Sequence, residues 1–313
     1  MSARTTAQRV TPHQLFNLLQ EQKNWPSGGA PALLDLRPAG PDGGKQRVIR
    51  GSQKATLSAE GEVVVPGASA RSWMGRAVCL YDALPDSLED HPVARALLRD
   101  AGTKQLLLLS EPFSAFEEVF PFLCAKASSS KAAKRHVMPS CVLPGLLYLG
   151  DLSDAAALPR LAEQLNVRAA VTALAELTPS LKAAVAEAPQ VRHIWCNVRD
   201  VEEADIKAHF STAYDAIEAA KTDGSAVFIH CSRGVSRSAS LCIAYLMRKE
   251  GMSAKAARLH VEATRPIVLP NDGFWRCLQE YEKELTGQRS GVYIPAPKPK
   301  PREGACPIAR ARA

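Results

Sequence analysis

The stretch with the most reactive residue types is residues 230–238, which read His-Cys-Ser-Arg-Gly-Val-Ser-Arg-Ser. It lies between an apolar run at 226–229 and an apolar pattern of helical spacing at 239–248. This arrangement predicts a strand, a tight loop and a helix N-terminus that meet at Cys231. Backbone N–H groups of such a loop point inward, and the helix dipole adds positive potential. The stretch is therefore suited to binding a dianion the size of phosphate.

Four side chains of this stretch have the chemistry of a nucleophilic site. Cys231 is the candidate nucleophile, because a positive environment favours its thiolate. Gly234 allows the backbone to curl closely, and Arg237 can grip two oxygens with its planar fork. Ser238 can donate a hydrogen bond to the sulfur. The predicted cradle for the dianion consists of Ser232, Arg233, Gly234, Val235, Ser236 and Arg237.

The pattern His-Cys-x-x-Gly-x-x-Arg-Ser resembles the signature of cysteine-dependent protein phosphatases, and residues 230–247 as a whole resemble the dual-specificity branch. The resemblance implies an α/β domain with a central sheet flanked by helices, without a metal or another cofactor. It implies supporting roles for His230 and for Asn271. Residues 264–266, which include Arg265, and residues 270–274, which include Asn271, are similar to the segment that braces the signature loop. The alternative is a buried structural cysteine beside a helix cap.

A second group is needed opposite the nucleophile, because a serine, threonine or tyrosine oxygen leaves poorly unless it is protonated. Asp200 follows a predicted strand, lies 31 residues before Cys231, and begins a segment that looks like the general-acid loop of the family. We predict Asp200 as the acid. Glu202, Glu203 and Asp205 are rival carboxylates in the same segment.

The N-terminal half alternates short apolar runs with helical patterns, which predicts a parallel α/β layer. Predicted strands are 32–38, 77–81 and 105–109, and predicted helices begin at Pro12, with Thr11 as N-cap, and cover 91–100 and 113–124. Residues 33–38 resemble the opening of rhodanese-like domains. Residues 113–124 look like the end of the rhodanese-like domain of MAP kinase phosphatases.

Two features depart from those families. A sulfurtransferase needs a cysteine that leads the loop after a central strand, whereas Cys79 lies inside its predicted strand, so this domain is expected to be catalytically inert. MAP kinase phosphatases dock their kinases through adjacent arginines. Here the basic residues are spread along the chain, at Lys45, Arg47, Arg50 and Lys54. Docking of a MAP kinase and a solvated basic surface both stay open.

The predicted organisation has four parts. Residues 1–124 form a rhodanese-like domain, 125–139 a small, polar and basic linker, 140–288 the catalytic domain, and 289–313 a disordered basic tail rich in Pro, Lys and Arg. Serine/threonine/tyrosine-interacting-like proteins share this plan of two domains. Their human-type members lack the nucleophilic cysteine, which this chain has.

The chain of 313 residues is 46% hydrophobic and carries a net charge of +7. Eight cysteines are scattered without a metal-ligand spacing, at Cys79, Cys124, Cys141, Cys196, Cys231, Cys242, Cys277 and Cys306. They favour a reducing compartment, and we predict a cytoplasmic protein, with the nucleus as an alternative and mitochondria less favoured. No apolar run reaches the length of a membrane span.

The favoured interpretation is a protein phosphatase that acts on phosphotyrosine and on phosphoserine or phosphothreonine through a phosphocysteine, with a phosphoprotein as substrate and a MAP kinase as one candidate. No nucleic-acid partner is expected. The alternative from another class is a phosphoprotein-binding scaffold with little turnover. A third interpretation keeps the chemistry and changes the substrate to a phosphoinositide or an RNA 5′ end, because Arg233 lies inside the loop.

Overall fold

The computed structural model describes residues 6–20, 30–38, 46–66, 76–81, 92–99, 103, 105–126, 138–287 and 289. The predicted tail therefore lies outside the described residues except at position 289, and so does the predicted linker between residues 127 and 137. No helix in the described ranges is both long enough and apolar enough to cross a membrane.

The N-terminal part contains a five-stranded parallel sheet in the order β1-β8-β7-β2-β4. Two short antiparallel pairs, β3 with β9 and β5 with β6, accompany it. Its strands are β1 (Thr6–Val10), β2 (Ala32–Asp35), β3 (Arg47–Ile49), β4 (Gln53–Lys54), β5 (Thr56–Leu57), β6 (Val63–Val64), β7 (Ala77–Tyr81), β8 (Gln105–Leu109) and β9 (Cys124–Lys126). Its helices are α1 (Pro12–Leu19), α2 (Pro92–Arg99) and α3 (Phe113–Val119).

The second part is built on another five-stranded sheet, in the order β10-β11-β14-β12-β13. β10 is antiparallel to β11, and the other neighbours are parallel. The strands are β10 (Ser140–Leu143), β11 (Leu147–Gly150), β12 (Val167–Ala173), β13 (Arg192–Cys196) and β14 (Ala226–His230). The helices are α4 (Leu152–Ala155), α5 (Leu158–Gln164), α6 (Pro179–Ala186), α7 (Phe210–Thr222), α8 (Arg237–Glu250), α9 (Ala254–Thr264) and α10 (Asp272–Thr286).

The central strand β14 positions the predicted nucleophile. All five of its residues are buried, and it pairs in parallel with β11 and β12, so its carboxyl end opens at the edge where α/β sheets bind ligands. The chain then turns through residues 231–236 into α8, whose first eleven residues are buried. The predicted strand, loop and helix at this point are confirmed.

Several boundaries differ from the sequence-based expectation. The strand predicted for 32–38 ends at Asp35. The helix predicted for 113–124 ends at Val119 and is followed by a 3₁₀ turn at Pro121–Leu123, because Pro121 cannot donate the next helical hydrogen bond. Ala125 and Lys126, which were predicted to begin the linker, belong to β9 and pair with β3. Strand β1, which the sequence analysis did not predict, pairs with β8 along its whole length.

The two parts share one hydrophobic core. The ring of Phe16 in α1 lies 4.5 Å from that of Phe120 and 6.4 Å from that of Tyr148 in β11. Asn17 makes two hydrogen bonds with the backbone of Cys141, donating from Nδ2 to the carbonyl at 2.9 Å and accepting from the N–H at Oδ1 at 2.7 Å. The N-terminal helix therefore covers the free edge of β10.

Candidate active site

Cys231 lies at the bottom of the turn that joins β14 to α8, which we call the cysteine loop (residues 231–236). Its side chain is buried, at 1% exposure. Its sulfur accepts hydrogen bonds from the Gly234 N–H at 3.2 Å and from the Ser238 hydroxyl at 3.1 Å. The loop thus points a backbone donor and a side-chain donor at the same atom.

The environment of Cys231 favours its thiolate. Burial by itself would raise the pKa of this thiol, but hydrogen bonds from the Ser238 side chain and from backbone N–H groups of the loop act in the opposite direction and outweigh it. The pKa of Cys231 therefore lies below its ordinary value. In contrast, burial raises the pKa of Cys196 to about 11 and that of Cys141 to about 12.

Arg265 fixes the backbone of the cysteine loop. Its side chain is 1% exposed, and it donates from Nε to the Gly234 carbonyl at 2.9 Å and from Nη2 to the Arg233 carbonyl at 3.0 Å. Because C=O and N–H point in opposite directions across a trans peptide, these bonds turn the N–H groups of Gly234 and Val235 towards the sulfur. The sequence analysis placed Arg265 in the bracing segment but predicted no contact for its side chain.

Gly234 is required at its position by both conformation and space. Its φ of +65° lies in the left-handed region, and a Cβ built there would lie 2.6 Å from the Gly150 carbonyl oxygen and 2.7 Å from Arg265 Nη2. Ser232 and Arg233 are exposed on the outer side of the same loop, and Val235 is half-buried.

Arg237, the first residue of α8, lies between the cysteine loop and Asp200. Its Nη2 donates to Ser232 Oγ at 3.0 Å, and its Nη1 donates to the Val198 carbonyl at 3.4 Å. Nε lies 3.5 Å from Asp200 Oδ2, with no hydrogen-bond partner among the described residues. The guanidinium fork is thus buried, held in place, and left with donor capacity.

Asp200 lies in the acid loop (residues 197–206), which joins β13 to the 3₁₀ turn at Lys207–His209. Its Oδ1 accepts a 2.7 Å hydrogen bond from the hydroxyl of Ser236 and a 3.0 Å bond from Nδ2 of Asn271. The structure therefore brings the predicted acid to the predicted nucleophile loop. The side chain of Asp200 is 36% exposed, so it faces the open side of the site.

The three rival carboxylates are placed differently. Glu202 pairs with Arg276 at 2.9 Å, and both side chains are exposed. Asp205 accepts a hydrogen bond from the Ala208 N–H at 3.2 Å, which caps the following turn. Glu203 is exposed to solvent. These contacts favour Asp200 as the candidate acid.

Asn271 joins the acid, the cysteine loop and α10. It is the N-cap of α10, with Oδ1 accepting from the Phe274 N–H at 2.9 Å. Its backbone N–H donates to Ser236 Oγ at 3.1 Å, and its Nδ2 donates to Asp200. The predicted brace therefore reaches the cysteine loop through Ser236 rather than through the sulfur.

His230 lies directly before the nucleophile and is part of a buried polar row. Its Nε2 lies 2.7 Å from Thr172 Oγ1, which in turn lies 2.9 Å from His193 Nε2. Burial lowers the pKa of His230 to about 4, so its imidazole is neutral at physiological pH. Thr172 and His193 escaped the sequence analysis because only the register of β12 with β13 and β14 brings them beside His230.

Three further observations concern sulfur transfer by Cys79, metal binding and the state of the cysteines. Cys79 lies inside β7 at 0% exposure, and burial raises its pKa to about 12. Among the described residues, no group of three or more His, Cys, Asp or Glu side chains is arranged to hold a metal ion. The seven cysteines of the described ranges are free thiols.

The comparisons with known proteins agree on one family. The family model for the dual specificity phosphatase catalytic domain matches residues 147–284. The chain is 39% identical to mouse dual specificity protein phosphatase 14 over 109 residues, which cover 35% of this chain and 55% of the mouse protein. This chain thus spans little more than half the length of that relative.

Two further relatives are matched over more of their length. Human dual specificity phosphatase 28 is 37% identical over 164 residues, covering 52% of this chain and 89% of the human protein. Chicken dual specificity protein phosphatase 4 is 30% identical over 320 residues, covering 88% of this chain and 82% of the chicken protein. The last match extends into the N-terminal part.

Proposed function

Because this chain belongs to the dual specificity phosphatase family, we propose that it hydrolyses phosphotyrosine and phosphoserine or phosphothreonine in proteins through a phosphocysteine at Cys231. The proposal rests on the hydrogen bond that links Asp200 to the loop of Cys231. The Cys231 sulfur accepts hydrogen bonds from its loop, and the carboxylate of Asp200 is bonded to Ser236 of that same loop.

The first step transfers the phosphoryl group to sulfur. The phosphate binds on the backbone N–H groups of the cysteine loop and on Arg237, and the Cys231 thiolate attacks phosphorus. The ester P–O bond breaks, and its electron pair stays on the leaving oxygen. That oxygen takes the proton of Asp200, so a neutral alcohol or phenol departs.

The second step releases inorganic phosphate. Asp200, now a carboxylate, accepts a proton from water while the water oxygen attacks phosphorus. The S–P bond breaks and its electron pair returns to Cys231, where the hydroxyl of Ser238 donates to the departing thiolate. Each turnover restores both groups, so the cycle requires no cofactor.

The N-terminal part is proposed to be a rhodanese-like domain over residues 1–124 without sulfurtransferase activity. Its parallel five-stranded sheet and the burial of Cys79 inside β7 support this assignment. The division into residues 1–124, 140–288 and a tail from 289 stays a prediction, with the N-terminal part extended to Lys126 by β9. Free cysteines support a reducing compartment such as the cytoplasm.

A MAP kinase is one candidate substrate, but the basic residues that were considered for docking are already engaged. Arg47 pairs with Glu117, Arg50 donates from Nε to the Phe122 carbonyl at 3.1 Å, and Lys54 lies 3.8 Å from Asp35. Lys45 lies outside the described residues. Docking through the three described residues would therefore have to exchange existing contacts.

The proposed function is tested with wild-type protein and Cys231→Ser on p-nitrophenyl phosphate and on phosphotyrosine, phosphoserine and phosphothreonine peptides, with phosphorylated MAP kinase, phosphoinositide and 5′-phosphorylated RNA as further substrates. We expect the wild type to hydrolyse the aryl ester and the phosphopeptides, and Cys231→Ser to bind phosphopeptide without turnover. Turnover by Cys231→Ser would contradict the mechanism. Binding without turnover by the wild type would support a scaffold instead.

A further inference from the structure

The first turn of α10 lies against the backbone of the acid loop. Gly273 is the second residue of α10 and is buried. A Cβ built on it would lie 2.5 Å from Glu202 Cα and 2.6 Å from the Glu202 carbonyl carbon, and closer still to the carbonyl oxygen. Real Cβ atoms essentially never approach heavy atoms within 3.0 Å. The backbone of the acid loop therefore occupies the space that a side chain at Gly273 would need.

This glycine is unfavourable for the helix itself. Glycine in a helix interior is about 1 kcal/mol less favourable than alanine, so helix propensity gives no reason for a glycine at the second residue of α10. The φ of Gly273 is not in the left-handed region, so backbone conformation does not demand glycine. The close approach of Glu202 is the feature that excludes a larger residue.

The acid loop must yield if Gly273 gains a side chain. α10 is anchored by Phe274 and Leu278, both at 0% exposure, whereas Val201 in the acid loop is 41% exposed. The atoms that would collide belong to the Glu202 backbone, so no side-chain rotation relieves the contact. The Arg276–Glu202 ion pair is exposed on both sides and contributes little to holding the loop.

A displacement at Glu202 reaches Asp200. The acid loop is a compact turn, with hydrogen bonds from the Ala204 N–H to the Val201 carbonyl and from the Ile206 N–H to the Ala204 carbonyl. Buried Val198 and Ile206 hold its two ends, so a push at Glu202 moves the exposed residues between them. Such a movement shifts Asp200 relative to the cysteine loop, and so it lengthens or breaks the 2.7 Å hydrogen bond from Ser236 Oγ to Asp200 Oδ1.

We infer that Gly273 is a positioning residue for the proposed general acid: it seats the backbone of the acid loop against α10 and so holds the Asp200 carboxyl over the cysteine loop. This inference rests on the proposed function and adds a residue that touches neither the substrate nor the sulfur.

The test compares Gly273→Ala with Asp200→Asn and with the double variant, using p-nitrophenyl phosphate and a phosphoserine peptide. A misplacement of about 1 Å can cost on the order of a hundredfold, so Gly273→Ala should lose roughly ten- to a hundredfold in kcat/KM on the peptide. The loss on the nitrophenyl ester should be smaller, because its phenolate leaves without full protonation. The double variant should be no slower than Asp200→Asn, since both changes remove the same acid.

Two measurements separate positioning from a general fold defect. The pH dependence of Cys231 alkylation by iodoacetamide should be unchanged in Gly273→Ala, because the cysteine loop is intact. Hydrogen exchange at the Ala204 amide should become faster, because the turn is displaced. The matched control is Asp272→Ala in the same helical turn, an exposed residue whose change should leave the ratio of the two substrates as in wild type.

Equal losses on both substrates, or losses that multiply with those of Asp200→Asn, would overturn the inference while leaving the proposed function intact. A wild type that hydrolyses neither ester would instead refute the proposed function, and with it the role of Gly273. A Gly273→Ala protein with wild-type rates on the phosphoserine peptide would also overturn the inference, because it would show that the position of the acid loop against α10 does not depend on this residue.

Discussion

At the scale of single residues, hydrogen bonds rather than a salt bridge lower the pKa of Cys231. The Ser238 hydroxyl lies 3.1 Å from the sulfur and the Gly234 N–H lies 3.2 Å from it. A donor stabilises the thiolate more than the thiol, so each bond lowers the pKa against the opposing effect of burial. The Ser238 bond is the one that a mutation can remove without touching the backbone.

Ser238→Ala should raise the pKa of Cys231. The thiolate loses a donor while burial is unchanged, so the midpoint of the pH profile for alkylation by iodoacetamide should move to higher pH. Ser240→Ala is the matched control: this buried serine, on the same helix, donates to the Ser236 carbonyl at 2.9 Å instead of to the sulfur. An unchanged midpoint in Ser238→Ala, or an equal shift in both variants, would contradict the assigned role.

At the scale of elements, the cysteine loop depends on a segment distant in sequence. Arg265 follows α9 directly and lies 31 residues beyond Gly234, yet it bonds to two carbonyls of the loop. By fixing these carbonyls it fixes the opposite N–H groups, which face the sulfur and the phosphate site. The geometry of the cradle thus comes from two elements rather than from the loop alone.

Arg265→Lys should weaken the cradle. A lysine carries the charge, but it lacks the planar fork that bonds two neighbouring carbonyls. We expect a higher pKa for Cys231, measured by alkylation, together with weaker inhibition by inorganic phosphate. The control is Arg258→Lys, a change of another buried arginine on α9, which should affect the free energy of unfolding without moving the pKa of Cys231. Equal effects of the two variants on the alkylation profile would contradict the proposed brace.

Local patterns predicted the elements whose determinants are close in sequence. The turn at Cys231 follows from an apolar strand, a glycine and a helical pattern within about twenty residues. The start of α1 follows from Thr11 and Pro12, and the structure confirms a capping box between Thr11 and Gln14. The helix predicted over 113–124 is too long, because Pro121 has no N–H to continue the helical hydrogen bonds beyond Val119.

Contacts between distant segments left no local signal. Strand β1 is recognisable only through its pairing with β8, almost a hundred residues later. The row from His230 through Thr172 to His193 requires the register of three strands. Gly273 resembles any glycine near a helix start until the backbone of Glu202 is placed against it. These are the features that depend on tertiary packing.

At the scale of the whole molecule, the N-terminal part is joined to the second part by a continuous core and by specific polar contacts. Asn17 satisfies both backbone groups of Cys141, and Gln20 Oε1 accepts from the Met138 N–H at 2.9 Å in a buried position. A buried backbone group that lacks a hydrogen-bond partner destabilises the folded state by about 1–3 kcal/mol. The side-chain amides of Asn17 and Gln20 therefore help to hold the two parts together. The reactive residues, in contrast, all lie beyond residue 198.

Asn17→Ala should reduce the free energy of unfolding by about 1–3 kcal/mol, because the N–H and the carbonyl of Cys141 lose their partner. kcat on p-nitrophenyl phosphate should change little, since Cys231, Arg237 and Asp200 do not contact α1. Urea denaturation and hydrogen exchange at the Cys141 amide measure the effect. Gln105→Ala is the control, because its side-chain amide donates to Gln8 Oε1 at an exposed position inside the N-terminal part. Unchanged stability and exchange in Asn17→Ala would mean that α1 does not hold β10.

The phosphocysteine mechanism is tested most directly by trapping the phosphoryl group on the protein. Asp200→Asn lacks the base for the second step but should still accept a phosphoryl group from p-nitrophenyl phosphate, whose leaving group needs little protonation. Acid quenching during turnover, followed by mass spectrometry of the peptides, should find the phosphoryl group on Cys231, more abundantly in Asp200→Asn than in wild type and not at all in Cys231→Ser. A phosphoryl group on another residue, or hydrolysis without any covalent intermediate, would contradict the account.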